Sequence, residues 1–162
     1  LIFDTDTEEK IIAYDDDKIE RIMLNLLSNA IKYTKSGGTI EVNVKDIDSD
    51  IIITVKDTGC GIPKDKLDVI FERFRQVDEV LTRRAEGSGI GLSLVKALVE
   101  AHEGTISAYS TCGVGSEFVI SLPSKTVDNN EIYYKPLDII NNEDELDKKV
   151  ERISVEFSDI YS

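Results

Sequence analysis

Asp15-Asp16-Asp17-Lys18-Ile19-Glu20-Arg21-Ile22-Met23-Leu24-Asn25-Leu26-Leu27-Ser28-Asn29-Ala30-Ile31-Lys32-Tyr33 is the stretch on which the fold turns. Its apolar residues Ile19, Ile22, Met23, Leu26, Leu27, Ala30 and Ile31 recur at i, i+3, i+4, i+7, i+8, i+11 and i+12, which predicts a helix over 17–33. The three aspartates supply an N-cap and an acidic first turn that suits the helix dipole. The polar residues are equally ordered. Arg21, Asn25, Ser28, Asn29 and Lys32 form one stripe opposite the apolar face. A solvated face is the plain reading of such a stripe. Two asparagines one turn apart argue against it, because asparagine is a mediocre helix former. Their amide oxygens are neutral, hard ligands suited to a Mg²⁺ ion that already carries phosphate oxygens. Lys32, one turn on, is a point charge able to meet a phosphate.

Outward from this helix the chain reads as α+β. Leu1-Ile2-Phe3-Asp4 and Ile11-Ile12-Ala13 are short strand candidates. Thr39–Lys45 alternates with Ile40, Val42 and Val44 on one face, and Ile51–Val55 completes a hairpin across a polar turn at Asp46–Asp50. Asp57-Thr58-Gly59-Cys60-Gly61-Ile62-Pro63 is a loop, and Pro63 is placed to start a short helix through Phe71. Arg75–Ser88 is polar and longer than most connections, as lids and binding loops are. A helix from Ile90 to Ala101 follows, with Gly104 placed to stop it. Thr105–Ser110 and Glu117–Leu122 are strands joined by a Gly113–Gly115 turn, and Pro123 closes the unit. Residues 1–123 thus read as one domain. Ser124–Ser162 forms an acidic extension, with Arg152–Phe157 alternating as a strand would.

Composition narrows the function. The chain has 162 residues, with 19 Lys and Arg against 32 Asp and Glu, a net charge of −13. Nucleic acid and anionic membranes both require a basic face, so neither is an expected partner. The longest aliphatic run, Ile51–Val55, falls far below the roughly 20 residues of a membrane span. Cys60 and Cys112 lack metal-ligand spacing and suit a reduced, cytoplasmic setting. The single histidine, His102, leaves little room for a histidine-based metal site or hydrolytic triad.

Two glycine loops complete the pattern. Asp57-x-Gly59-x-Gly61 follows a strand, where Asp57 could accept from an exocyclic amine. Gly87-x-Gly89-x-Gly91 precedes a helix, where backbone amides can approach an anion. The second is neither a Walker A loop nor a dinucleotide fingerprint.

In order and spacing, four segments resemble the boxes of sensor histidine kinases. Asn25-Leu26-Leu27-Ser28-Asn29-Ala30-Ile31-Lys32-Tyr33-Thr34 resembles the N box and Asp57-Thr58-Gly59-Cys60-Gly61-Ile62 the G1 box. Phe71-Glu72-Arg73-Phe74 resembles the F box and Gly87-Ser88-Gly89-Ile90-Gly91-Leu92 the G2 box. The resemblance extends to Pro123, about three quarters of the chain. It is to the GHKL superfamily and implies a Bergerat ATP-binding fold: a two-layer α/β sandwich, with a mixed, mostly antiparallel sheet packed on helices and ATP under a mobile lid. It implies Asn29 and Asn25 as Mg²⁺ ligands, Lys32 on phosphate and Tyr33 beside adenine. Asp57 would accept from the adenine amine, with Gly59, Gly61 and Ile62 shaping the base pocket. Gly87, Ser88, Gly89, Ile90, Gly91 and Leu92 would hold phosphates, and Ser116 would support Asp57. Arg73 and Arg75 become candidates for phosphate or partner contact, and Phe71 and Phe74 for a lid hinge or a docking knob.

Glu86 replaces a glycine that many relatives carry before the G2 box. His102-Glu103-Gly104-Thr105 echoes a phosphoacceptor box but closes a helix before a strand, which points to a structural histidine. The implied activity is that of a protein histidine kinase, donating the ATP γ-phosphoryl group to a histidine on dimerisation helices expected before Leu1. A response regulator is expected downstream, and the sensor region of such kinases is often membrane-spanning. The domain itself is expected to be cytoplasmic and monomeric, to have no direct membrane contact, and to bind ATP without phosphorylating itself. Asn25, where ATP-hydrolysing relatives carry glutamate, cannot serve as a general base, so hydrolysis is expected to be slow. A nucleotide-sensing module without transferase activity and an anti-sigma-type serine kinase are the alternatives.

Overall fold

The computed structural model describes residues 1–7, 10, 12–72 and 91–125. They form five strands and two helices: β1 (Ile2–Thr5), α1 (Asp16–Tyr33), β2 (Ile40–Ile47), β3 (Asp50–Asp57), α2 (Gly91–Ala101), β4 (Thr105–Thr111) and β5 (Gly115–Pro123). The strand order is β1-β2-β3-β5-β4. β1 runs parallel to β2, and the other neighbours are antiparallel. This is the expected mixed, mostly antiparallel sheet layered on helices.

Helix α1 forms where its period predicts. The Asp15 carboxylate accepts from the Lys18 amide as N-cap, with Asp16 and Asp17 in the first turn. Ile22, Leu26 and Ala30, spaced by four, are buried, and Ile19, Met23 and Leu27 pack beside them. Helix α2 buries Val95 and Val99 and packs against α1 and β4.

The sheet meets the helices in rows. Val42, Val55, Phe118 and Ala108 are cross-strand partners, as are Val44, Ile53, Ile120 and Ile106. Ile51, Ile53 and Val55 of β3 and Phe118, Ile120 and Leu122 of β5 are all buried, whereas Ile52, Thr54, Val119 and Ser121 between them are only half-buried. A sheet packed on one face gives this alternation. Phe71 adds its ring edge-on to Phe118, with centroids 6.5 Å apart at 85°. It therefore sits at the core margin.

Four local readings need correction. Residues 12–15 are not a strand: the Ala13 amide donates to the Lys125 carbonyl, and that bond starts no ladder. The segment after Pro63 is a single 3₁₀ turn, Lys64–Lys66, followed by turns to residue 72. The β2–β3 turn is tighter than expected, because pairing continues to Ile47↔Asp50 and Asp48 takes φ 53°. Helix α2 ends in a Schellman closure, with Glu103 donating to Glu100 and Gly104 to Val99. The left-handed position is Glu103, at φ 60°, not Gly104. A Cβ at Gly104 would come within 2.7 Å of the Leu122 side chain, so glycine is needed there for close packing.

Candidate functional site

The buried face of the sheet changes character at one end. Beyond the row Val42–Val55–Phe118–Ala108, the next row is Ile40–Asp57–Ser116–Ser110. Three consecutive strands thus place a carboxylate and two hydroxyls side by side where aliphatic groups stood one step before. Asp57 is 7% exposed and Ser116 8%. The Gly59 amide donates to Asp57 Oδ1 at 2.8 Å. Burial pushes the Asp57 carboxyl above its ordinary value, while hydrogen bonds from the Gly59 and Ser116 amides pull the other way. The result is a held, desolvated acceptor at a strand end.

The loop after Asp57 is fastened on both sides. The Cys60 amide donates to the Tyr33 carbonyl at 3.2 Å, satisfying one of the carbonyls that the end of α1 leaves open. Gly59 lies so close that a Cβ there would overlap the same carbonyl. Gly61, at φ +69°, presses against the Thr111 carbonyl, a conformation and a space that exclude other residues. The Gly113 amide donates to the Cys60 carbonyl at 2.7 Å, and the Ile62 amide donates to Ser110 Oγ at 2.7 Å. Both cysteines are exposed thiols.

Helix α1 brings its polar stripe to the same end. Asn25, Ser28, Asn29 and Lys32 are half-buried, unlike an ordinary solvated face. The Asn25 amide nitrogen donates to the Arg21 carbonyl at 2.8 Å. Its Oδ1 is therefore the atom turned to the start of α2, where it lies 2.8 Å from the place a Cβ on Gly91 would occupy. Lys32 Nζ stands 5.4 Å from the centre of the Tyr33 ring. Neutral amide oxygens on one helix face, opposite a helix N-terminus and beside an ammonium group, form a donor set that fits a hard divalent cation carrying phosphates. Leu92 packs at the core margin below Gly91.

The structure therefore brings Asn25, Asn29, Lys32, Tyr33, Asp57, Gly59, Gly61, Ile62, Gly91, Leu92 and Ser116 to the α1, α2 and strand-end surfaces described. Gly87, Ser88, Gly89 and Ile90, with Glu86, Arg73, Phe74, the Arg75–Ser88 connection expected to form the lid, and the 124–162 extension from residue 126 on, lie outside the described residues. His102 is at the far end of α2. Its Nδ1 is 2.7 Å from the Leu98 carbonyl and its ring meets Tyr14 edge-on at 5.2 Å. The Tyr14 hydroxyl donates to the Pro123 carbonyl. This is the structural setting expected of it. Ser110 escaped the sequence reading. The signal that could have found it is the spacing Ser110-x-x-Gly113-x-Gly115-Ser116, which returns one serine opposite the other across the hairpin.

Comparisons with known proteins place the chain in a family. The profile of the histidine kinase-, DNA gyrase B-, and HSP90-like ATPase family matches residues 14–126. Hybrid signal transduction histidine kinase D of Dictyostelium discoideum is 39% identical over 138 residues, covering 82% of this chain and 9% of its own length. Sensor protein SrrB of Staphylococcus aureus is 38% identical over 116 residues, covering 72% of this chain and 20% of its own length. The chain thus spans a small part of the curated relatives it matches. Among solved structures, the catalytic domain of histidine kinase ThkA superposes with a TM-score of 0.66 at 26% identity, covering 77% of this chain and 80% of that one. The mycobacterial sensor histidine kinase MprB does so with a TM-score of 0.67 at 28% identity, covering 78% and 85%. By sequence profile, by its curated relatives and by fold, the chain belongs to the histidine kinase-, DNA gyrase B-, and HSP90-like ATPase family, in the form taken by histidine kinase catalytic domains.

Proposed function

We propose that the chain is the ATP-binding catalytic domain of a sensor histidine kinase, donating the γ-phosphoryl group of ATP to a histidine on separate dimerisation helices. The observation that carries this is the Asp57 carboxylate, buried and held by the Gly59 and Ser116 amides at the mouth of a fastened glycine loop. A buried acceptor of fixed direction suits the exocyclic amine of adenine. A solved structure of full-length ShkA in complex with AMPPNP, 30% identical with a TM-score of 0.68, covers 78% of this chain and supports the reading. This chain covers 26% of that protein.

In this reading Asp57 accepts from the adenine amine, Ser116 supports Asp57, and Gly59, Gly61 and Ile62 bound the base. Tyr33 lies beside the base and Lys32 meets phosphate. The 87–92 glycine segment holds the remaining phosphates at the start of α2. Asn29 and Asn25 would hold Mg²⁺ through their amide oxygens, and a bound Mg²⁺ offsets charge on the phosphates during transfer. Asn25 has no proton-accepting carboxylate, so water near the γ-phosphate is left unactivated and ATP is kept for transfer. His102 sits at the other end of the helix that begins at Gly91, some 11 residues or about 16 Å away. It cannot reach a phosphate bound at that start, so the acceptor must come from another domain. A response regulator then receives the phosphoryl group.

Titration calorimetry with ADP tests the site. Asp57→Asn should weaken binding by about 1.5–3 kcal/mol, because one amide orientation presents a donor to the adenine amine. Wild-type affinity in that variant would remove Asp57 from the site. Transfer is tested with labelled ATP and a supplied dimerisation domain: wild type should label it and Asn29→Ala should not. Binding without transfer would favour a nucleotide-sensing module, and transfer to serine an anti-sigma-type kinase.

A further inference from the structure

Cys60 and Cys112 are far apart in sequence, yet the fold sets them on two turns that touch. Cys60 stands between Gly59 and Gly61 in the loop after Asp57. Cys112 stands in the Thr111–Val114 turn between β4 and β5, which the Val114 amide closes onto the Thr111 carbonyl at 3.0 Å, with Gly113 at φ +80°. The Gly113 amide donates to the Cys60 carbonyl at 2.7 Å. Beside that bond, a Cβ on Gly61 would lie 3.0 Å from the Cys112 Cα. From one cysteine Cα to the other, the path through the 2.7 Å hydrogen bond adds about 2.4 Å of covalent backbone at each end, so a straight path would span about 7.5 Å. The path bends at the carbonyl and at the amide, which brings the two Cα atoms near the roughly 4.4–6.8 Å that disulfides span. Both residues are exposed to solvent.

We infer that Cys60 and Cys112 form an oxidisable dithiol, an intramolecular disulfide site that staples the loop after Asp57 to the β4–β5 turn. The co-reactant is a small-molecule disulfide such as oxidised glutathione. One cysteine thiolate attacks a glutathione sulfur, forms a mixed disulfide and releases one glutathione thiolate. The second cysteine thiolate attacks the protein sulfur of that mixed disulfide and expels the second glutathione. The two cysteine sulfurs are oxidised, the glutathione disulfide is reduced, and the two cysteine protons end on the two glutathione thiols. In a reducing compartment such a bridge is transient and reports redox state. Its consequence falls on the base side of the site. The same short loop is fastened by the Cys60 amide to the Tyr33 carbonyl and by the Ile62 amide to Ser110 Oγ. A bridge pins the loop in that shape, so a nucleotide has less loop freedom to remove on binding. This coupling rests on the nucleotide reading of the site, whereas the bridge itself does not.

The test equilibrates the 162-residue chain in glutathione buffers from fully reduced to fully oxidised, then alkylates the remaining thiols and weighs the products. The oxidised chain should be monomeric, lighter by two hydrogens and without added glutathione, and its protease fragments should join Cys60 to Cys112. Cys60→Ser and Cys112→Ser should each end as a glutathione mixed disulfide instead. Oxidation should raise the thermal midpoint of the wild type by about 5–15 °C and that of neither variant. Calorimetry with ADP reads the coupling. The bridged chain should bind about fivefold tighter, and ADP should favour the bridge over the dithiol by the same factor. Glutathione on both cysteines without a bridge, or a bridge between two chains, overturns the inference. Equal ADP affinity in the two redox forms overturns the role of the bridge in the site. If neither form binds ADP, the nucleotide reading fails, while the bridge stands on its mass and thermal midpoint.

Discussion

Two stretches of one sheet face, two residues apart along each strand, follow opposite rules. In the rows through Val55–Phe118 and Ile53–Ile120, burial removes aliphatic and aromatic surface from water and stabilises the fold. In the row Asp57–Ser116–Ser110, burial opposes the charge on Asp57 and requires every polar atom to find a partner. Deeply apolar rows make the chain fold. The polar row uses that rigid support to hold a desolvated acceptor in one direction, which flexible surface aspartates cannot do. The same register that zips the core therefore sets the polar row.

The largest expected effect lies in the apolar rows. Ile120 is 0% exposed, so Ile120→Ala should cost about 2–5 kcal/mol of unfolding free energy, measured by urea denaturation. ADP affinity of the molecules that remain folded should not change. A loss of affinity without a loss of stability would reverse the division between the rows.

A smaller effect belongs to the polar row and has a definite sign in pH. Burial holds the Asp57 pKa above its ordinary 3.8 in the free folded chain. A ligand amine favours the ionised carboxylate, so acidification through that raised pKa must weaken binding. The fall approaches about tenfold per pH unit once the carboxyl is protonated. It should begin at a higher pH than an exposed aspartate would give. Asp57→Asn has no such carboxyl and should lose this part of the pH dependence, measured by calorimetry across the acid range. Parallel profiles for the two proteins would mean that the charge on Asp57 does not engage the ligand.

The smallest effect tests the opposite face. Val119 lies between Phe118 and Ile120 on β5 but is only half-buried. Val119→Thr keeps the branched shape and should change stability by no more than about 0.5 kcal/mol, as surface substitutions do. A cost comparable to that at Ile120 would mean that this face is covered too.

Much of the molecule could be read from local pattern. The α1 period fixed its buried face, and the alternation of Ile40, Val42 and Val44 fixed the face of β2, because both follow from backbone repeat alone. Asp57, Asn25 and Asn29 stood out as candidates because chemistry-bearing residues at constrained spacings differ from their surroundings. At Ile12 and Ala13 the strand reading failed because a short apolar run cannot show whether an edge is available to pair with it; Ile11 lies outside the described residues. Residues 12–15 instead settle against the end of β5 through one backbone bond to Lys125. Gly104 was taken as the helix stop from composition, whereas Glu103 adopts the left-handed turn and pairs with Lys125 at 2.7 Å.

The sequence by itself determined where α1, α2 and the sheet strands lie, which of their faces are apolar, and which residue types could hold a nucleotide and its cation. Those are properties of spacing along one chain segment. Only the tertiary structure decided that Asp57, Ser116 and Ser110 form a single row, that Ser110 receives the amide of Ile62 from 48 residues away, and that Asn25 faces the start of α2. In sequence a serine in an alternating strand is indistinguishable from a solvent-facing one. Strand order and register choose its neighbours, and those neighbours decide whether its hydroxyl meets water or the polar atoms of another segment.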